Sequence, residues 1–235
     1  MTAGISRWAA WTAKGVTIGG DPPDLADGPL APWAEAPPLS KIHPKARRPH
    51  PQAKALVQLA SVVLQDKRIE GLAMTLGSAS GSAGPDREFD EELKKKGLGF
   101  GGPSLFVYTL PSAPLGELAV AFNAKGAITT VSSGAASGLT AVATALDEVD
   151  SGRAPAVLCG GFEWGTKADH ICLFLIEAQG PVTITGSTGY GETPDGPRGD
   201  LLDLAAAIAS GQPFSLTSAD RLGCWAQIES MGEMQ

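Results

Sequence analysis

Cysteine is scarce in this 235-residue chain: Cys159, Cys172 and Cys224 are odd in number, widely spaced and set in apolar surroundings. That is no disulfide framework, and it points to a reducing, cytoplasmic setting. Net positive charge is lacking as well. With 18 Lys and Arg against 25 Asp and Glu, the formal net charge is −7, which argues against a nucleic-acid or anionic-membrane partner, since both favour a basic face. Long hydrophobic runs are missing too. No window approaches the ~20 apolar residues of a membrane helix, and Arg7 and Lys14 interrupt the N-terminal stretch before it can make the apolar core of a signal peptide. The glycine-rich stretches GSASGSAG and GSTGYGE match neither a dinucleotide nor a P-loop fingerprint and read as plain loops. No cofactor and no metal are expected.

What is present is apolar residue in quantity, 43% of the chain, enough for a substantial core in one domain spanning residues 1–235. The chain opens on a strand over 4–12. A proline- and glycine-rich arm follows over 19–51, where neither helix interior nor sheet ladder is tolerated, with Trp33 as its anchor. Helical spacing predicts a helix over 53–66, and IEGLAMTLGSASGS reads as a strand entering a loop. Acidic and basic residues paired at helical offsets over 86–97 predict an exposed helix capped by Gly97. A further helix begins near Pro114, a strand covers 127–132 and a helix 136–149. A buried strand follows at 155–159, ending in Gly160 and Gly161. Strands at 170–178 and 181–186 are expected to form a hairpin through Gln179, Gly180 and Pro181. A last helix, DLLDLAAAIAS, precedes a reduced C-terminal part over 190–235. The alternation predicts an α/β fold, a mixed sheet layered with helices. Two helices carry almost no charge: ASGLTAVATALDEVD has none before Asp147, and LAAAIAS has none at all. Such helices are buried between layers, which implies a three-layer or thicker stack, or a partner subunit covering one side.

TTVSSGAASGLTAVATAL, residues 129–146, passes from β-branched residues through a small-residue turn into an alanine-rich helix. This is the layout of an elbow that presents a nucleophile, yet Gly134, Ala135 and Ala136 stand at its apex. The stretch Val131-Ser132-Ser133-Gly134-Ala135-Ala136-Ser137-Gly138-Leu139 resembles the V-S-S-A-C-A-T-G-L elbow of the β-ketoacyl-ACP synthases. ARRPHPQAKALVQLAS, TLGSASGS, TLPSAPLGELA, AVLCGGFE and LFLIEAQGPVTITGSTGYG fall in the same order as in that family. The resemblance covers most of residues 5–190 and implies a thiolase-like fold, the N-terminal half of a ketosynthase with a truncated C-terminal half.

The resemblance places the family's nucleophilic cysteine at Ala135, which has no group to accept an acyl chain. The family's catalytic histidines and lysine belong to a half that this chain almost entirely lacks; His43, His50 and His170 lie at the wrong places in the sequence. What is implied is a catalytically inactive, chain-length-factor-type subunit, similar to the short partner subunits of aryl polyene systems. Such a subunit forms a heterodimer with an active ketosynthase, helps to shape its acyl tunnel, and meets an acyl carrier protein transiently. The strand before the elbow would then pair across the interface. Phe106, Tyr108, Leu110, Leu115, Leu118, Ile128, Thr130, Ser132 and Ser133 are the interface or tunnel candidates.

Other readings stay open from the residues alone. Ser132, Ser133 or Ser137 would serve a standalone serine-dependent acyl hydrolase or transferase, although the pattern is not G-x-S-x-G and no histidine is evidently placed to activate them. A homodimer that binds acyl chains is a third reading. Lys41, Lys45, Arg47 and Arg48 read either as a solvated surface or as a dock for an acidic carrier. Cys159 and Cys172 read as small buried hydrophobes. Asp169 and His170, adjacent on a strand, face opposite sides and do not form a relay.

Overall fold

The computed structural model describes residues 2–44, 49–65 and 68–231. Lys45, Arg47 and Arg48 of the basic cluster lie outside the described residues. In chain order the elements are β1 (Ala3–Thr12), β2 (Gly15–Ile18), α1 (Leu39–Ile42), α2 (Pro51–Leu64), β3 (Ala73–Gly77), α3 (Ala83–Lys96) and α4 (Pro103–Phe106), which runs into a 3₁₀ turn at Val107–Thr109. Then come α5 (Ala113–Phe122), β4 (Ile128–Val131), α6 (Ser137–Asp150), β5 (Ala156–Glu163), β6 (His170–Ala178), β7 (Val182–Tyr190), α7 (Leu201–Ser210), β8 (Ser215–Ala219) and β9 (Cys224–Ser230).

Among the described residues nine strands form one mixed sheet in the order β4-β3-β5-β6-β1-β7-β9-β8, with β2 paired to β1. The parallel pairs are β3 with β4 and β3 with β5, as expected where helices supply the crossovers. One apolar cluster joins α2 and α5 to one face of the sheet. A second joins α6 and α7 to the other face and to β7, β8 and β9. The expected α/β architecture, a mixed sheet layered with helices, is what the chain adopts.

Local chemistry explains most boundaries. α2 begins earlier than its periodicity suggests because His50 accepts the Gln52 N–H as N-cap and Pro51 occupies the first helical position. It stops at Gln65, which is left-handed at φ 52°. α3 ends, as expected, at Gly97, whose N–H returns to the Leu93 carbonyl. α7 starts on a capping box in which Asp200 and Asp203 satisfy each other's backbone N–H groups. Trp33 anchors its part of the arm: it packs edge-on to Trp11 with ring centroids 5.2 Å apart, and Trp11 Nε1 donates to the Ala31 carbonyl.

Three expectations are corrected. β6 and β7 do not form a hairpin, because β1 lies between them. β1 pairs with β6 from Ala3↔Ala178 to Trp11↔Ile171, and on its other edge Gly4 and Ile5 pair with Thr183 and Val182. Gly4 and Gly180 permit the crossing: a Cβ on Gly180 would stand 2.3 Å from the Gly4 carbonyl oxygen. Second, GSTGY is strand rather than loop, since Gly186 to Tyr190 pair with Ile228 to Cys224. The Trp225 ring lies over Gly189 and supplies the packing that glycine lacks. Third, β5 does not stop at Cys159 but runs on through Gly160 and Gly161 to Glu163, because these glycines let β6 and β3 approach. A Cβ on Gly161 would stand 2.3 Å from the Gly77 carbonyl oxygen.

α6 is buried along most of its length, as the absence of charge before Asp147 requires, and turns the exposed Asp147 and Asp150 of its last turn to solvent. Leu139, Val142, Ala143, Ala145, Leu146 and Val149 share one core with strand residues Cys159 and Phe174 and with Leu201, Leu204, Ala226 and Ile228. The cover therefore comes from the chain's own residues after 181, and α6 leaves no apolar face for a second subunit.

Candidate functional site

The elbow between β4 and α6 is held by its own hydroxyl. Ser137 is 1% exposed; its Oγ donates to the Gly134 carbonyl at 2.6 Å and accepts the Ser133 N–H at 2.8 Å. Gly134 takes φ +52° with no room for a side chain, since a Cβ there would meet Asp220 Cβ at 2.7 Å. Asp220 follows β8, so the C-terminal part packs directly against the turn. Ser218 of β8 adds a hydrogen bond from Oγ to the Ala135 carbonyl at 2.9 Å. Ala135 itself stands exposed at the apex, presenting a methyl group where acyl transfer needs an electron pair.

No histidine hydrogen-bonds this turn, although the Asp220 carboxylate stands against it. His43 Nε2 lies 2.9 Å from Glu117 Oε2. His50 caps α2 and meets Glu88 at 3.2 Å, while His170 Nδ1 turns to the Ala168 carbonyl. None of the three histidines hydrogen-bonds Ser132, Ser133 or Ser137. Asp169 accepts from Thr166 and does not pair with His170. Cys159 and Cys172 are fully buried. Burial pushes both thiols far above the ordinary range, so neither supplies a thiolate near neutral pH. Among the described residues no cluster of His, Cys, Asp or Glu is arranged to hold a metal ion, and no single helix is long and apolar enough to cross a membrane.

What the elbow region offers is surface. β4 ends the sheet, paired only with β3, so its outer ladder of N–H and C=O groups has no strand partner among the described residues. Along it Ile128 is 44% exposed, Ser132 is exposed, and Thr130 and Ser133 are half-buried. Leu98, Phe100, Phe106, Val107 and Leu110 form an exposed apolar run between α3 and α5; within it Phe106 packs on Phe89 at 5.6 Å between ring centroids. Tyr108, Leu115 and Leu118 are different. Leu115 and Leu118 lie in this chain's own core, and the Tyr108 hydroxyl donates to Glu117 at 3.0 Å. These three are buried beneath the surface rather than exposed on it. Sequence reasoning missed the contribution of Ser218 and Asp220 to the elbow; only the long-range pairing of β8 with β9 brings them there.

Lys41, the described member of the basic cluster, lines a groove of about 710 Å³ with Arg68 and Lys125, and the described lining contains no carboxylate. Three cations gathered in one concavity are notable in a chain of net charge −7.

Comparison with known proteins follows the same lines. The family described as "Beta-ketoacyl synthase, N-terminal domain" matches residues 13–178. Among solved structures, "The ishigamide ketosynthase/chain length factor" superposes with a TM-score of 0.75 at 16% identity, covering 98% of this chain and 99% of that one. "AntDE:AntF (apo): type II PKS acyl-carrier protein in complex with its ketosynthase bound to the hexaketide" gives 0.74 at 10% identity, covering 100% and 99%. "Ketosynthase (ApeO) in Complex with its Chain Length Factor (ApeC) from Xenorhabdus doucetiae" gives 0.67 at 14% identity, covering 97% and 99%. At these identities the likeness is one of fold. No curated protein matches the sequence.

Proposed function

Because the chain belongs to the β-ketoacyl synthase family, matched through that family's N-terminal domain, we propose that it is a non-catalytic subunit of the chain-length-factor type. It pairs with an active ketosynthase and helps to shape the tunnel that holds a growing, carrier-bound acyl chain. The observation that carries this reading is the elbow: a ketosynthase-like strand, turn and helix, internally hydrogen-bonded, with Ala135 at the nucleophile position and no histidine in contact. The chemistry then belongs to the partner. The open edge of β4, with Ile128, Thr130, Ser132 and Ser133 along it, is the proposed site of strand pairing across the interface. The exposed Phe106 and Leu110 are proposed as a further part of the interface.

The solved structures to which this fold is similar include ketosynthase and chain-length-factor pairs, and one contains an acyl carrier protein. We extend the reading to a carrier on that footing. An acidic carrier is drawn by Lys41, Arg68 and Lys125, an attraction that speeds encounter and weakens with salt. The assignment is to the class of subunit, and no particular pigment or polyketide system is singled out. A cytoplasmic location goes with it, since the partner and the carrier act on soluble thioesters.

The test combines association and turnover. The purified chain and a ketosynthase encoded beside it are mixed, native mass spectrometry reads the assembly, and condensation of malonyl-carrier substrate is followed for each protein alone and for the pair. A heterodimer that condenses, with this chain inert by itself, is the expected result. Condensation by the chain alone, or its stoichiometric labelling by a serine-reactive phosphonate, overturns the proposal in favour of an enzyme.

A further inference from the structure

The sheet has a gap beside β1. On the edge of β1 away from β6, Gly4 and Ile5 pair with β7, and Ala9 to Thr12 pair with β2. The turn after β2 reaches back only as far as Trp8, whose carbonyl accepts the Gly19 N–H. Ser6 and Arg7 are left between these partners. At the same point the β1–β6 register slips between Ile5 and Arg7. Such a bulge re-aims side chains and is enriched beside functional sites.

Above the gap lies a groove of about 320 Å³, within the size range of small-molecule pockets, roughly 300–1,000 Å³. Ile5, Trp8, Val62, Val63, Val182 and Ile208 give it apolar walls, and Arg7 brings a permanent cation into it. Arg7 Nε is buried and has no hydrogen-bond partner. No ion pair to Arg7 occurs among the described residues. An N–H so placed costs stability unless something accepts it. The guanidinium is aimed rather than loose, because its Nη1 donates to Gln65 Oε1. Gln65 holds a left-handed backbone, φ 52°, at the end of α2. Glycine fills that position without strain; glutamine accepts the strain and keeps a side chain that orients Arg7.

We propose that this groove binds a small aliphatic carboxylate, its head on the Arg7 guanidinium and its alkyl chain along Val62, Val182 and Ile208. Guanidinium meets carboxylate with matched, charge-assisted hydrogen bonds, and the walls exclude water from the alkyl part. The site is separate from the elbow and from β4, and it does not depend on the chain pairing with a ketosynthase.

Isothermal titration calorimetry on the full chain tests it with octanoate, octan-1-ol and acetate. Octanoate is expected to bind at one saturable site. Octan-1-ol, without the charge, and acetate, without the chain, should each bind at least tenfold more weakly. Arg7→Leu should weaken octanoate at least tenfold. Val62→Phe, which fills the groove from a half-exposed helix position and leaves Arg7 in place, should do the same, with thermal unfolding confirming that both variants fold. Absence of saturable octanoate binding to the parent chain, or octanoate binding to Arg7→Leu within twofold of the parent, overturns the proposal.

Discussion

At the scale of single residues, the two buried cysteines make a claim about pH. In the folded chain burial raises the pKa of Cys159 and Cys172 well above the usual thiol range, whereas in the unfolded chain both titrate near pH 8.5. Below that pH both states hold the protons and the contribution to stability is complete. Above it the unfolded state releases protons first, so stability is lost as pH rises. Urea denaturation between pH 7 and 10 should show unfolding free energy falling from about pH 8.5. A Cys159→Ala, Cys172→Ala variant, less stable overall, should show a flatter decline; an equal slope would mean that other groups govern it. That these cysteines are inert was legible from their apolar neighbours in the sequence. The role of Ser137 was not. Its hydroxyl looked like a candidate nucleophile until Gly134 and Ser133 were seen to use it as the fastener of the turn.

Among the elements, β4 is the one whose outer edge has most to answer for. Ile128 packs little against its own chain, so Ile128→Lys should leave the melting temperature within a degree or two, surface changes of this kind being worth about 0.5 kcal/mol or less. A lysine on an edge strand opposes strand addition. Association with the ketosynthase, read by analytical ultracentrifugation, should therefore weaken at least tenfold, about 1.4 kcal/mol. Unchanged association would move the interface away from β4. Helices α2, α3, α5, α6 and α7 were readable because periodicity, proline, glycine and charge pairs act within a few residues. β8 and β9 were not, and β6 and β7 were misjoined, because those pairings depend on partners far along the chain. Nothing local in Gln179-Gly180-Pro181 announces that Gly4 will slide beneath it.

For the whole molecule the decisive fact is that α6 has its cover already. An uncharged helix in a ketosynthase-like half suggested a surface that a second subunit must hide, and sequence alone left two candidates for that duty. The segment after residue 181 does it, through Leu201, Leu204, Ala226 and Ile228. The proposed pairing at the β4 face should then not be a condition for folding. The full chain should unfold cooperatively without a partner. A chain ending at Pro181 should bind a hydrophobic dye and aggregate on size-exclusion chromatography, since Val142, Ala143 and Leu146 would lose one side of their packing. A monomeric, cooperatively folding truncation would show that the C-terminal part is dispensable.

The position of β1 also sets a timetable. It is made first, yet its long partner β6 ends at Ala178 and β7 starts at Val182. At roughly 5–20 residues per second, a ribosome needs on the order of ten to thirty seconds to deliver them. Through that interval AGISRWAAWT has β2, the arm and α2 against it but neither of its long sheet neighbours. A nascent chain with that strand still unpaired should fold in better yield when chaperones that hold unfinished proteins are co-expressed.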